Sequence, residues 1–284
     1  MPDIRRVKEK LFEGVVIVLS LIAIAPLFHI LGSVLVKGGE VILRTGISFF
    51  TDTPAYPGAD EVGGIGPSLL GTMWLGIVST AIGIPLSVLT GIFIVEFRNH
   101  KLAKITKVFT HSLLEIPTVL IGMLVFLTIV VPTGHYSLLA GSIALVIVML
   151  PYTMSYLERA LDEVPRTYKE AGYSIGMTRK QVVFKVVLGI AKPGVAAGLL
   201  IGVAKGISET APLLFTIGSA RGDFPVSPMD LGKPGDAIPL LIFQFIQSPY
   251  ENWHDLAWGA SFVLTVIVLV TFALVKLVVR EVKL

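Results

Sequence analysis

Two opposite charges stand inside an otherwise apolar stretch of this chain, at positions 205 and 209. Lys205 and Glu209 are one helical turn apart, so on a helix their side chains share a face. A lone charge at the centre of a lipid bilayer costs about 2.5–3.5 kcal/mol on insertion scales, and such residues therefore face a protein interior or a water-filled cavity. The pair predicts either a path for a polar or anionic solute or a self-neutralising pair that fixes a helix contact. Charge alone leaves both interpretations open.

The patterns of several common catalytic and metal sites are missing from the sequence. There is no cysteine, and the five histidines show no His-Glu-x-x-His spacing. No Gly-x4-Gly-Lys-Ser/Thr phosphate loop occurs, so the chain cannot bind ATP in that way. A Gly-x-Ser-x-Gly nucleophile turn is absent as well. We therefore expect neither an enzyme nor a site for a metal or another cofactor.

The composition is typical of a polytopic membrane protein. Hydrophobic residues make up 54% of the 284 residues and charged residues 15%, whereas soluble domains carry about 25% charged residues. A helix needs roughly 20 apolar residues to cross a bilayer. Six stretches meet this requirement, and we expect an all-α bundle of six transmembrane helices at residues 15–36, 67–95, 112–132, 137–157, 189–217 and 256–275. The first stretch is longer than the apolar region of a signal peptide, so we expect it to be retained.

The distribution of Lys and Arg predicts the orientation of the bundle. Of the 23 such residues, 18 fall at the termini and in the loops that would share their side of the membrane, and four fall on the other side. We therefore expect both termini in the cytoplasm. The net charge of +3 follows from this arrangement and needs no nucleic acid partner. On the outer side, the apolar run 237–246 predicts a short helix that lies on the membrane surface or against the bundle.

The fifth span carries small residues at a fixed spacing of four. Gly194, Gly198, Gly202 and Gly206 form this series, and Thr210 continues it. The second span shows the same spacing over residues 79–91. In lipid, such residues let helix backbones approach closely, so we interpret both series as helix-packing faces. They indicate a compact bundle without showing transport by themselves. Pro212 should bend the fifth span.

The 158–192 loop between the fourth and fifth spans is too polar to enter lipid. Pro165 suits the first turn of a helix, and Gly176 can end that helix in a left-handed conformation. Thr178 and Gln181 match a capping box that starts another helix. The loop therefore predicts a compact helix–turn–helix. It is either an ordinary structured connection or a docking site for a cytoplasmic protein.

Part of this loop resembles the EAA loop of ABC importer permeases. The run Glu170-Ala171-Gly172-x3-Gly176 is similar to the family pattern Glu-Ala-Ala-x3-Gly. Gly172 replaces the second Ala of that pattern, and Gly189 replaces a later Pro, which should make the loop more flexible. The resemblance implies the type I permease fold of ABC importers. It also implies that the loop is a coupling helix, which inserts into a groove of a cytoplasmic ATPase subunit.

A narrower resemblance lies at the end of the fifth span. Residues 207–216, Ile-Ser-Glu-Thr-Ala-Pro-Leu-Leu-Phe-Thr, are similar to the Gly-Glu-Thr-Ala-Pro-Leu-Leu-Phe pattern of phosphate permeases of the PstA type. Residues 63–67 and 116–118 also fit that family, so the resemblance covers nearly the whole chain. The family usually carries Arg where Lys205 stands. Lysine keeps the positive charge but lacks the bidentate fork that matches phosphate.

Together the resemblances imply a single permease domain, residues 1–284, that moves inorganic phosphate inward across the plasma (inner) membrane in contact with its lipids. They also imply the partners, which are two ATP-binding subunits, a homologous second permease subunit and an extracytoplasmic phosphate-binding protein. ATP hydrolysis would belong to the ATP-binding subunits. On this hypothesis, two groups of residues act: Lys205, Glu209 and Thr210 on the substrate path, and Glu170, Ala171, Gly172 and Gly176 in coupling to the ATPase.

Two alternatives stay open. Another oxyanion, molybdate or sulfate, would fit the same charges in the same architecture. A transporter or membrane scaffold that works without ATP is a further hypothesis. Secondary transporters often contain inverted repeats with paired broken helices, and the sequence shows no matching halves of this kind.

Overall fold

The computed structural model describes residues 2–219 and 230–280 of the chain. Arg221 and Lys283, which the orientation prediction counts, lie outside these residues. Within them, regular structure is helical apart from one isolated bridge between Pro54 and Gly63. The helices are α1, Pro2–Ser33, continued by a π-helical turn Val34–Gly38 and by Gly39–Thr45; α2, Ser48–Thr51; α3, Gly66–Glu96; α4, Lys101–Ser112, with a 3-10 turn Leu113–Glu115; α5, Thr118–Val125, continued by Phe126–Val130 and Val131–Thr133; α6, Leu138–Asp162; α7, Arg166–Ser174; α8, Arg179–Gln181, continued by Val182–Val187 and Leu188–Ile207; α9, Ala211–Leu214; α10, Ile238–Phe245; and α11, Glu251–Arg280.

Five of the described helices, α1, α3, α6, α8 and α11, are long and apolar enough to cross a membrane. A sixth span results when α4 and α5 are counted together, although these two helices are bent by 108° relative to each other. Ile116 has an extended backbone immediately before Pro117, as the residue before a proline prefers. The span predicted at 112–132 therefore starts later, at Thr118. Residues 112–115 belong to the preceding helical segment instead.

Helix α6 is central to the bundle because it packs against both α3 and α8. Small residues of α3 make the first contact possible: Gly83 lies against Met149, and Gly91 lies against Leu157. Met149 and Leu157 are fully buried. Because α8 packs on α6 beside α3, the position of Lys205 near the end of α8 is fixed relative to both helices.

The apolar run 237–246 forms α10 and packs into the bundle. Ile238 and Phe245 are fully buried in a cluster with residues of α11. The chain reaches this position because it passes very close to α3, where a Cβ on Gly71 would lie 1.9 Å from the carbonyl oxygen of Asp236. Of the two predicted placements for this helix, the one against the bundle is therefore confirmed.

The fifth predicted span is not one continuous helix. Helix α8 ends at Ile207, residues 208–210 are not helical, and α9 begins at Ala211. Pro212 lies in the first turn of α9, where its missing N–H costs no helical hydrogen bond. It packs on α5, where a Cβ on Gly122 would lie 2.6 Å from the Cα of Pro212. The predicted bend is thus a break just before the proline, and Glu209 lies within that break.

Candidate substrate path and coupling surface

Lys205 and Glu209 form an ion pair at the end of α8. The side chain of Glu209 is 8% exposed and that of Lys205 is 36% exposed. The N–H of Glu209 donates to the carbonyl of Gly206 at 3.2 Å, which holds the break close to the last turn of α8. The Lys205 Nζ also lies 5.5 Å from the centre of the Tyr152 ring of α6, within the range of a cation–π contact. The ammonium therefore stands between a carboxylate and an aromatic face.

The Lys205 ammonium has hydrogen-bond donors that Glu209 does not use. An ammonium group has three donors, and Lys205 uses one on Glu209, so further acceptors can approach its half-exposed side. The buried carboxylate of Glu209 lowers the net positive charge that such an acceptor would meet.

Thr210 follows Glu209 and is half-buried. Its carbonyl accepts the N–H groups of Leu213 and Leu214 at 3.1 and 3.2 Å, so Thr210 begins the turn that becomes α9. Of the three predicted path residues, the structure brings Lys205 and Glu209 into contact. It places Thr210 next to Glu209 in the break that follows α8.

The glycine series of α8 lies along α6, and the approach is close at three of its four positions. A Cβ at each glycine would lie 2.6 Å from the Ala160 Cβ at Gly194, 2.6 Å from the Tyr156 Cβ at Gly198, 1.9 Å from the Thr153 Oγ1 at Gly202, and 3.9 Å from the Met149 Cβ at Gly206. The absence of these side chains lets α8 lie directly on α6. It also brings Lys205, which lies between the last two glycines, to the Tyr152 ring.

The 158–192 loop has the predicted helix–turn–helix form. Gly176 has a φ of +80°, and the N–H of Met177 donates to the carbonyl of Gly172 at 3.1 Å, so α7 ends in a left-handed turn. Thr178 and Gln181 form the predicted capping box in both directions. The local predictions for this loop are therefore confirmed.

The residues that carry the EAA resemblance lie in α7 and in the turn after it, and they differ in burial. Glu170 and Ala171 are exposed, whereas Gly172 is buried. A Cβ on Gly172 would lie 3.0 Å from the Val182 Cγ2 of α8, so this glycine is a close packing position. Gly176, in the exposed turn, has open space where its side chain would be. The loop thus presents Glu170, Ala171 and Gly176 outward and holds Gly172 inward.

Glu96, which was not among the predicted site residues, is the last residue of α3, and its side chain is 9% exposed. Lys169 of α7 forms an ion pair with it. Arg179 of α8 lies 3.8 Å from its other carboxylate oxygen, donates to its main-chain carbonyl, and lies 4.3 Å from the centre of the Phe97 ring. We call Glu96, Lys169 and Arg179 the Glu96 cluster. The available signal was a carboxylate at the end of an apolar span, but its partners depend on the fold.

A cavity of about 780 Å³ lies beside the Glu96 cluster. Its lining comes from the ends of α3 and α6, from residues 97–100 between α3 and α4, and from the 158–192 loop, and its charged members include Arg98, Asp162, Arg166 and Glu170. Arg98 and Asp162 form an ion pair across this region. The cavity therefore separates the exposed part of α7 from the ends of two membrane-spanning helices, and the Glu96 cluster joins them.

Asp236 is a second buried carboxylate that sequence analysis did not identify. It is 1% exposed, and its carboxylate accepts hydrogen bonds from the Ser68 hydroxyl at 2.9 Å and from the N–H of Ala237 at 2.8 Å. Asp236 thus joins the segment before α10 to the first turn of α3. The only sequence signal was a single Asp before an apolar run.

Comparison with known proteins places the chain in a family. A family model described as a binding-protein-dependent transport system inner membrane component matches residues 83–284. The chain is 43% identical over 278 residues to the "Probable phosphate transport system permease protein PstA" of Methanocaldococcus jannaschii, covering 98% of this chain and 96% of that protein. It is 31% identical to the phosphate transport system permease protein PstA of Haemophilus influenzae, covering 93% and 91% of the two chains.

Solved structures with the same fold come from ABC transporters. The chain is similar to the inward-facing MetNI methionine ABC transporter, with a TM-score of 0.57 and 21% identity over 77% of this chain and 94% of that chain. An amino acid ABC transporter gives a TM-score of 0.54 at 17% identity over 77% and 93% of the two chains. These likenesses show the ABC importer permease fold. The chain belongs to the family of binding-protein-dependent transport system inner membrane components, among its PstA-type permeases.

Proposed function

We propose that this chain is the transmembrane subunit of an ATP-driven importer that moves inorganic phosphate inward. The observation that carries the proposal is the Lys205–Glu209 pair, which puts a half-exposed cation beside a break in a membrane-spanning helix. The two relatives described above, whose printed names are phosphate transport permeases, support phosphate as the solute.

The energy source belongs to other subunits. The sequence has no phosphate loop of the Gly-x4-Gly-Lys-Ser/Thr type, so two separate cytoplasmic subunits would hydrolyse ATP. A second, homologous permease would complete the path, and an extracytoplasmic binding protein would deliver phosphate to it. The excess of Lys and Arg in the loops on one side supports an orientation with both termini in the cytoplasm.

The 158–192 loop would transmit the conformational change of the ATPase subunits to the membrane-spanning helices. An ATPase subunit would bind the exposed face of α7 around Glu170, Ala171 and Gly176. The Glu96 cluster joins this loop to the end of α3, and α3 packs on α6. A displacement of α7 would therefore move α3 and α6 with it, so that the path opens alternately to each side of the membrane.

Phosphate would pass the break between α8 and α9. Lys205 would lower the electrostatic barrier to an anion in an apolar surrounding. Glu209 would hold Lys205 in place and would keep the anion from binding so tightly that it stays. Thr210, beside this pair, would offer a hydroxyl to the same path.

A second oxyanion remains the alternative solute, because Lys205 is a point charge and does not match one oxyanion geometry over another. The test is ATP-dependent uptake of radiolabelled phosphate by vesicles that contain the complete complex. We expect excess phosphate to suppress the uptake of label, and excess sulfate or molybdate to leave it unchanged. Suppression by sulfate or molybdate at equal concentration would contradict phosphate selectivity. Uptake that proceeds at the same rate without ATP would contradict the importer mechanism.

A further inference from the structure

Helix α4 has two different faces. Ala103 and Thr110, seven residues apart, are buried at 1% and 6% exposure and pack toward the bundle. Large apolar side chains occupy another face: Leu102, Ile105, Val108 and Phe109 are between 59% and 66% exposed. Their spacing of three and four residues places them together on one side of the helix. Large contiguous apolar patches of this kind are uncommon where a protein meets only water.

The apolar face of α4 is accompanied by positive charge. Lys101 and Lys104 are exposed, and the helix Lys101–Ser112 contains no acidic residue. A third lysine, Lys107, forms an ion pair with Glu158 of α6. Exposed lysines beside an apolar face are the features by which a helix lies in the interface of a membrane that contains anionic lipids.

The position of α4 in the fold agrees with that location. It connects the end of α3 to the start of α5, and its axis is bent by 108° from that of α5. It therefore runs across the ends of the spans rather than along them. The contact between Lys107 and Glu158 places it at the same end of the bundle as the 158–192 loop. A helix lying across this end is at the level of the lipid headgroups.

We propose that α4 is a binding surface for anionic lipid headgroups. Leu102, Ile105 and Phe109 enter the boundary between headgroups and acyl chains, while Lys101 and Lys104 contact the lipid phosphates. A second permease copy could cover an apolar face, but such a contact gives no reason for lysines at its edge. The surface is independent of which solute the transporter carries.

Because this chain has no cysteine, one introduced cysteine gives it a single labelling position, and the labelled chain is then assembled into the complete complex. The test position is Ile105→Cys, carrying an environment-sensitive fluorophore. Leu127→Cys on α5 is the membrane control, with an original side chain that is 61% exposed, and Tyr56→Cys in the segment before α3 is the water control, at 88%. We expect brominated lipids to quench the labels at 105 and 127, and aqueous iodide to quench the label at 56.

Lipid charge is tested with vesicles of phosphatidylcholine and phosphatidylglycerol, in which either lipid is brominated. The label at 105 should prefer phosphatidylglycerol, and Lys101→Gln with Lys104→Gln should lower this preference by about fivefold for each lysine removed. Lys101→Arg with Lys104→Arg, which keeps both charges, should retain it and serves as the control for correct folding. Raising the salt concentration should weaken the preference of the unaltered lysines.

Three outcomes would overturn the proposal. Iodide quenching at 105 without lipid quenching would place α4 in water. Protection at 105 from both quenchers would show that another protein subunit covers the face. Equal quenching by the two brominated lipids, with Lys101 and Lys104 present, would show that the helix does not select anionic headgroups.

Discussion

Two glutamates in this chain are buried to a similar degree, and both are paired with basic side chains. Their partners, however, lie at very different distances along the chain. Glu209 pairs with Lys205, four residues earlier, at the end of one helix. Glu96 pairs with Lys169 and Arg179, which are 73 and 83 residues away along the chain. The first pair connects neighbouring turns, whereas the second connects the end of α3 to α7 and to the first residue of α8.

The difference indicates different roles. The Lys205–Glu209 ion pair links residues only four positions apart, so we propose that it can change partners when a solute passes without separating distant parts of the chain. A cluster between two elements transmits displacement, because moving one element carries the other with it. We therefore propose that the Glu209 pair lies on the solute path and that the Glu96 cluster connects the moving elements mechanically.

The Glu209 pair depends on close packing of α8 on α6, which Gly202→Ala should disturb most strongly. The new Cβ would lie 1.9 Å from the Thr153 Oγ1, and overpacking of this kind costs about 1–3 kcal/mol. We expect a lower unfolding temperature of the complex and a large loss of phosphate uptake. Gly206→Ala is the matched control, since its Cβ would meet Met149 at an ordinary 3.9 Å. Equal tolerance of the two substitutions would contradict this packing.

Lys205→Ala should lower phosphate uptake by about tenfold or more, because the path loses its cation and Glu209 is left as an unpaired buried charge. Lys205→Arg keeps the charge and should retain most of the uptake. Uptake is measured in vesicles with the complete complex at equal ATP. The double variant Lys205→Ala with Glu209→Gln removes both charges. If it restores uptake, the pair only neutralises itself and Lys205 does not lie on the path.

Glu209→Gln should have a smaller effect on uptake, and it should change the KM for transport as well as the maximal rate. Without the carboxylate, Lys205 would hold phosphate more tightly, so both the KM for transport and the maximal rate should fall by several-fold. The dependence of uptake rate on the concentration of delivered phosphate gives both values. A higher KM would show instead that Glu209 helps to bind the solute.

Gly172→Ala should have the smallest effect, although it restores the residue usual in the EAA pattern. Replacing a helical glycine by alanine gains about 0.5–1 kcal/mol, and the close contact with Val182 at 3.0 Å offsets part of this gain. We expect phosphate uptake to stay within about twofold and the unfolding temperature to change little. A large loss of uptake would show that coupling needs flexibility at this position.

The features that sequence predicted well are local. The Lys205–Glu209 contact, the left-handed turn at Gly176 and the capping box of Thr178 all arise from residues a few positions apart, so their geometry follows from helical spacing. The Glu96 cluster could not be predicted, because a carboxylate at a span end does not specify which of many cations the fold brings to it. The bend before Pro117 had a signal in the proline itself, but an apolar run on both sides favoured one continuous span.

The break before Pro212 is another feature that the sequence predicted only in part. The proline indicated a bend, but the position of the break is set by its packing on Gly122 of α5. Asp236 likewise gains its role only when the segment before α10 meets Ser68. In each case the missing information was a contact between distant parts of the chain.

The most direct test of this account is the amount of phosphate taken up per ATP hydrolysed in a complex that carries Glu96→Gln. The control is Glu163→Gln, which alters an exposed carboxylate in the 158–192 loop, outside the Glu96 cluster. We predict that Glu96→Gln lowers the ratio by about tenfold, while ATP hydrolysis continues and the control keeps the normal ratio. An unchanged ratio in Glu96→Gln would contradict the claim that this cluster connects the loop to the membrane-spanning helices.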